Sequence, residues 1–206
     1  MLLLSRGSVF ERRRWERRLA TEGPDALFDQ PELAERLRQV RTILVPSEPL
    51  YFYVTLRAAL RRAGLDSREL ADYLAALLVE FGRRDRAFRI DWHDDQQHRY
   101  VIDILADLES TGGARRFKVL VHLGNYTLWL SGVFRAWIEA RRLRRGGPDV
   151  SYYERMGQRG FALASEDPHA DVFGLADVLG LAAARFPAVR SALNGVAEET
   201  WWRRSA

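Results

Sequence analysis

The chain contains no cysteine and only four histidines among its 206 residues. The first absence excludes disulfides, thiolate zinc sites and iron–sulfur centres, and it fits a reducing, cytoplasmic setting. The second leaves few imidazoles for metal or acid–base chemistry, so neither a metal nor a cofactor is expected. Lysine is nearly missing as well: Lys118 is the only one among 32 basic residues. Such a bias reflects the composition of a GC-rich genome before it reflects a function. The net charge of +4 is modest, because 28 acids are interspersed. Arginine pairs such as Arg61–Arg62, Arg83–Arg84, Arg115–Arg116, Arg141–Arg142 and Arg203–Arg204 lie near several expected helix ends. They form no single tract, which argues against nucleic acid as a partner.

Long apolar runs are also lacking. Met1 to Arg6 has no positive segment ahead of its leucines, so no signal peptide is expected. Val119 to Ile138 comes nearest to a membrane span, but His122, Asn125, Thr127 and Ser131 interrupt it and Arg135 sits near its end. A central helix surrounded by protein explains it better than a span does.

What is present is helical punctuation. Leu33, Leu37, Val40 and Leu44 share one face of a helix opened by Pro31. Ser47-Glu48-Pro49 caps a second helix that closes at Gly64. Asp66-Ser67-Arg68-Glu69 reads as a capping box for a helix ending at Gly82. A polar connection from Arg83 to Gln97 follows, and a helix resumes near His98. One long helix is expected over Ala114 to Arg145, stopped by Gly146-Gly147-Pro148. Another starts at Asp149 or Ser151, and Asp167-Pro168 opens one running through Val172, Leu175, Leu179 and Ala182. Phe186-Pro187 separates it from a last helix ending near Trp201-Trp202. The reading is an all-α chain, an irregular bundle of about eight helices. It forms a single domain over residues 1–206, with 1–30 as an arm or short helix.

Small residues mark the segment around Gly146. Gly132, Ala136 and Ala140 form one stripe, and Gly157, Gly160 and Ala164 another. Glycine inside a helix costs nearly 1 kcal/mol against alanine, so close backbone packing or a ligand gap should offset it. Gly132 and Gly160 are therefore expected in a close helix–helix contact.

Gly124-Asn125-Tyr126-Thr127-Leu128-Trp129-Leu130-Ser131-Gly132-Val133-Phe134, followed by Val150-Ser151-Tyr152-Tyr153-Glu154-Arg155-Met156-Gly157, resembles a group of uncharacterised bacterial helical proteins. Those carry an LGD-x-x-LFLSGLFPE-like stretch and then a VSYY-x-x-[ML]G-like one. The chain departs at Asn125, where aspartate is usual, and at Phe161, where alanine or tyrosine is. The resemblance implies an all-α fold and a coherent segment of about fifty residues. It implies no catalytic residue.

Other candidate chemistry has a plainer explanation each time. His93-Asp94 matches the His-Asp dyad of metal-dependent phosphohydrolases but lacks the further histidine they need upstream, and it reads as a solvated loop. His93, Asp94, Asp95 and His98 would converge on a cation only if helical. Glu166-x-x-His169 has di-iron spacing but occurs once, at a helix start, and reads as a cap. His122, Asn125 and Tyr126 form the best constellation: a base, an amide and a phenol within one apolar turn, with Tyr152 and Tyr153 as prospective neighbours. They read as a ligand site or as an interhelical hydrogen-bond network. The chain is thus expected to be a non-enzymatic interaction or regulatory module, meeting a protein partner or a second copy. The alternatives are a ligand-binding or enzymatic bundle using the His122 cluster, and a weak nucleic-acid-associated protein. A cavity beside His122 would favour the former and one contiguous basic face the latter.

Overall fold

The computed structural model describes residues 9–39, 47–83 and 85–201. Among them the chain forms twelve α-helices and a short 3-10 turn, Arg86–Phe88, with no strand. The helices are α1 Val9–Glu22, α2 Pro24–Phe28, α3 Pro31–Gln39, α4 Glu48–Arg62, α5 Arg68–Gly82 and α6 Val101–Ser110. They continue as α7 Gly113–Val133, α8 Arg135–Arg145, α9 Val150–Ser165, α10 Pro168–Val172, α11 Ala176–Ala184 and α12 Phe186–Trp201. The all-α class holds, and the count of about eight is corrected upward. Val40, Leu44, Arg84, Trp202 and the Arg203–Arg204 pair lie outside the described residues, as do residues 1–8 of the expected arm.

Two breaks and the helices of the N-terminal arm account for the difference. The described part of the expected N-terminal arm is helical, as α1 and α2. The long helix expected over 114–145 ends at Val133, because α7 loses a carbonyl to another helix: Asn194 of α12 donates its side-chain amide to the Gly132 carbonyl at 3.1 Å. Phe134 then leaves helical geometry at φ −114°, ψ 33°. The helix expected from Asp167 to Ala182 is broken at Gly174, whose φ of +64° suits a residue without Cβ. The amide of Leu175 reaches back to the Ala170 carbonyl at 2.8 Å and closes α10.

Two starts also shift. The helix expected near His98 begins at Val101, because the Asp103 carboxylate accepts from the amides of Arg99 (3.1 Å) and Tyr100 (3.0 Å) and fixes the start there. Ser67, not Asp66, caps α5, accepting from the Leu70 amide at 3.0 Å. Asp66 instead pairs with the buried Arg57. Removing a serine cap costs about 1 kcal/mol. Ser67→Ala should lower the urea midpoint accordingly, whereas an unchanged midpoint would return the cap to Asp66.

α7 occupies the centre and packs against α9, α12, α6 and α5. Leu120, His122, Leu128 and Leu130 are buried on different sides of it, the condition of a helix enclosed by protein. Its buried hydroxyls turn inward: Thr127 donates to the Leu123 carbonyl at 2.7 Å and Ser131 to the Thr127 carbonyl at 2.6 Å. A smaller apolar cluster joins Leu33, Ala34 and Leu37 of α3 to Val54 of α4. Beside it, Arg57 donates to Asp29 at 2.6 Å and Arg68 donates to the other oxygen of the same carboxylate at 2.9 Å.

Gly160 makes the expected close contact. A Cβ there would sit 3.0 Å from both the Gly124 amide nitrogen and the Leu120 carbonyl oxygen of α7. The pairing of the two stripes is corrected, however. Gly132 faces Leu193 of α12, while Ala136 and Ala140 belong to α8, where Ala136 is exposed. The small residues that meet across α7 and α9 are Gly124 and Gly160.

Candidate functional site

The five residues singled out by sequence do not converge on a common space. His122 is buried on α7, its ring 5.9 Å from Phe81 and stacked 6.1 Å from Tyr126. Its Nε2 has no hydrogen-bond partner among the described residues. Burial pushes its pKa down to about 3, and the positive fields of His98, Arg86 and Arg115 push the same way. Such an imidazole is neutral at pH 7 and a poor proton acceptor.

Asn125 faces α5, where it accepts from the Tyr73 hydroxyl at 2.7 Å. Burial raises the Tyr73 phenol well above its ordinary value. Tyr126 points to the loop before α6 and donates to the Arg99 carbonyl at 2.6 Å, its pKa pushed up to about 12, mainly by burial. Tyr153 is buried on α9, with the partly buried Tyr152 ring edge-on at 5.4 Å. The hydrogen bonds of Asn125 and Tyr126 thus reach α5 and the 99 loop rather than the two tyrosines of α9. Two surface cavities, of 840 and 570 Å³, are lined by none of the five.

Sequence reasoning missed two arrangements. The first is a polar knot under the 89–100 loop. Arg115 of α7 donates to Asp94 at 2.8 Å and to Asp107 of α6 at 2.8 Å. His98 is fully buried beside them, its backbone amide bonded to the Phe88 carbonyl at 2.7 Å. Its Nε2 lies 3.2 Å from an Asp107 oxygen but out of line for a ring N–H bond. The loop is not helical there, so the spacing of His93, Asp94, Asp95 and His98 on a helix does not arise. Among the described residues no group of three or more His, Asp or Glu is placed to hold a metal ion. Asp167 caps α10, accepting from the His169 amide at 3.0 Å and contacting its Nδ1 at 2.7 Å.

The second arrangement is on the surface. Of the residues of α8 only Ile138 is buried. The helix carries Arg135, Arg141, Arg142, Arg144 and Arg145 against the single acid Glu139, as much net charge as the whole chain has. Arg141 lies against two exposed rings, its guanidinium carbon 5.2 Å from the centroid of Trp137 and 5.6 Å from that of Tyr100. Trp137 is 47% exposed, Tyr100 55% and Leu143 78%. Each guanidinium–ring contact contributes about 0.5–1 kcal/mol at an exposed site.

No family model, curated protein or solved structure matches this chain. Among the described residues no helix is long and apolar enough to cross a membrane. The arginine-rich sequence of α8 was available as a signal. It was obscured because Ala136 and Ala140 invited a packed reading and nothing in the sequence announced a break at Phe134.

Proposed function

We propose that this protein is a non-enzymatic interaction module that captures an acidic segment of a partner protein on the face built by α8 and Tyr100. The observation that supports this most is α8 itself: one buried side chain, five arginines, and Trp137 held outward against Arg141. Exposed tryptophan, tyrosine and arginine side by side are the residue types that dominate binding hot spots. The rest of the chain is neutral on balance, and the charge concentrated on α8 would steer an acidic partner.

A lipid surface suits this face less well. Trp137, Ile138 and Leu143 point in three directions roughly 100–140° apart at about 100° per residue, leaving no single apolar side to insert. Stacked nucleobases also suit it less, because Arg141 already fills the space against both exposed rings. In this reading His122, Asn125, Tyr126, Tyr152 and Tyr153 brace the bundle, and the site of action is the cytoplasm. The resemblance to a bacterial helical group adds no competing activity.

The test is a binding titration of poly-L-glutamate at physiological salt. Saturable binding is expected, weakened about tenfold or more by the triple change Arg142→Glu, Arg144→Glu and Arg145→Glu. Tighter binding to single-stranded RNA or to phosphatidylserine vesicles than to the polypeptide would overturn the reading, as would indifference to the triple change.

A further inference from the structure

The larger of the two surface cavities is an open groove of 840 Å³ among α1 to α5, none of its lining residues on α8. It exists because Ala26, Ala34 and Ala58 present little side chain where α2, α3 and α4 meet. Around that floor stand Arg18 of α1, Arg38 of α3, Arg61 and Arg62 of α4, and Arg68 of α5. Glu22 and Asp29 are the acids that line it.

The acids are already engaged. Both oxygens of Asp29 accept from arginine, one from the buried Arg57 and the other from Arg68. These bonds hold the Asp29 carboxyl below its ordinary pKa, against the opposing effect of burial. Glu22 is paired with Arg18 at 3.3 Å. Two cations are left over. Among the described residues Arg61 donates to a neutral acceptor, the Asp29 carbonyl, at 2.9 Å, and Arg62 has no partner. The last turn of α4 accommodates adjacent cations, because the helix dipole is negative there. Nη1 of Arg57, whose Nε donates to Asp29, is also buried and unpartnered, although Arg57 does not line the cavity.

We infer that this cavity binds a small phosphate-bearing anion. Guanidinium forks match phosphate oxygens in pairs, and Arg61 and Arg62 of α4 share the lining with Arg18, Arg38 and Arg68 from three other helices. A space of this size accommodates a nucleotide-sized molecule and is too small for a folded segment of another protein. The cavity shares no lining residue with the α8 face, so either assignment stands or falls without the other.

The experiment measures tripolyphosphate binding by calorimetry at physiological salt, with sodium chloride matched for ionic strength. The intact protein should bind saturably. Arg61→Ala combined with Arg62→Ala should weaken binding about tenfold or more, and both side chains are exposed enough for the variant to fold. The triple charge reversal on α8 should bind as the parent does. Absence of saturable binding, equal binding by the Arg61/Arg62 variant, or loss of binding in the α8 variant would each overturn the inference.

Discussion

Gly160→Ala and Gly157→Ala should both destabilise the protein, while Gly195→Ala should stabilise it. All three glycines lie within helices, so intrinsic propensity alone favours alanine by up to about 1 kcal/mol at each. Their surroundings decide the sign. A Cβ at Gly195 meets nothing within 4 Å. At Gly157 it would fall 2.3 Å from the ring of the fully buried Phe186 and 2.5 Å from the Thr127 hydroxyl. At Gly160 it would fall 3.0 Å from two backbone atoms of α7, which cannot rotate away as a side chain can. Overpacking of this kind costs roughly 1–3 kcal/mol, more than propensity returns. Denaturant midpoints with an unchanged slope measure the three changes directly. If Gly160→Ala raises the midpoint as Gly195→Ala does, α7 and α9 are not in backbone contact.

The second large effect concerns acid. The folded-state pKa of His122 is about 3 against an ordinary value of 6.5. A histidine depressed in the folded state binds its proton more readily once unfolded. The stability it allows is therefore fully present above about pH 6.5 and is lost as pH falls towards 3. Its loss is on the order of 5 kcal/mol by pH 3 and about half that by pH 4.5. Asp29, Asp91 and Asp94, each held below the ordinary carboxylate range, add their own acid sensitivity lower down. A difference between two proteins isolates the imidazole. His122→Phe, which keeps a planar ring and removes an unpartnered nitrogen, should match or exceed the parent at pH 7. It should be clearly the more stable of the two at pH 4.5. Parallel stability–pH curves for parent and variant would show that His122 is not held neutral by its surroundings.

Periodicity reported local structure well and partners poorly. The spacing of leucines along α5 and the caps at Ser47 and Asp149 were readable, because each involves residues within one turn of the other. The end of α7 was not, because its cause is Asn194, 62 positions along the chain. The glycine stripes announced a close approach, but 100° per residue assigns a face and not what faces it; Gly132 met Leu193 instead of α9. His98 illustrates the same limit. It sits in a segment of polar sequence, yet its own amide is held by the Phe88 carbonyl and the next amide by Asp103, and its ring is fully buried. His122, Asn125 and Tyr126 were recognised as polar groups in an apolar helix, but their divergence depends on α5, the 99 loop and Phe81, which the spacing along α7 does not encode.

The single anchoring side chain of α8 bears on how the sequence can drift. Ile138 alone ties that helix into the apolar interior, and changes at exposed positions away from such anchors typically move stability by no more than about 0.5 kcal/mol. The remaining positions of α8 are thus open to exchange of charge and size with little penalty in folding. Selection can rewrite what this helix recognises, residue by residue, on a scaffold whose buried core lies elsewhere, around α7 and α9.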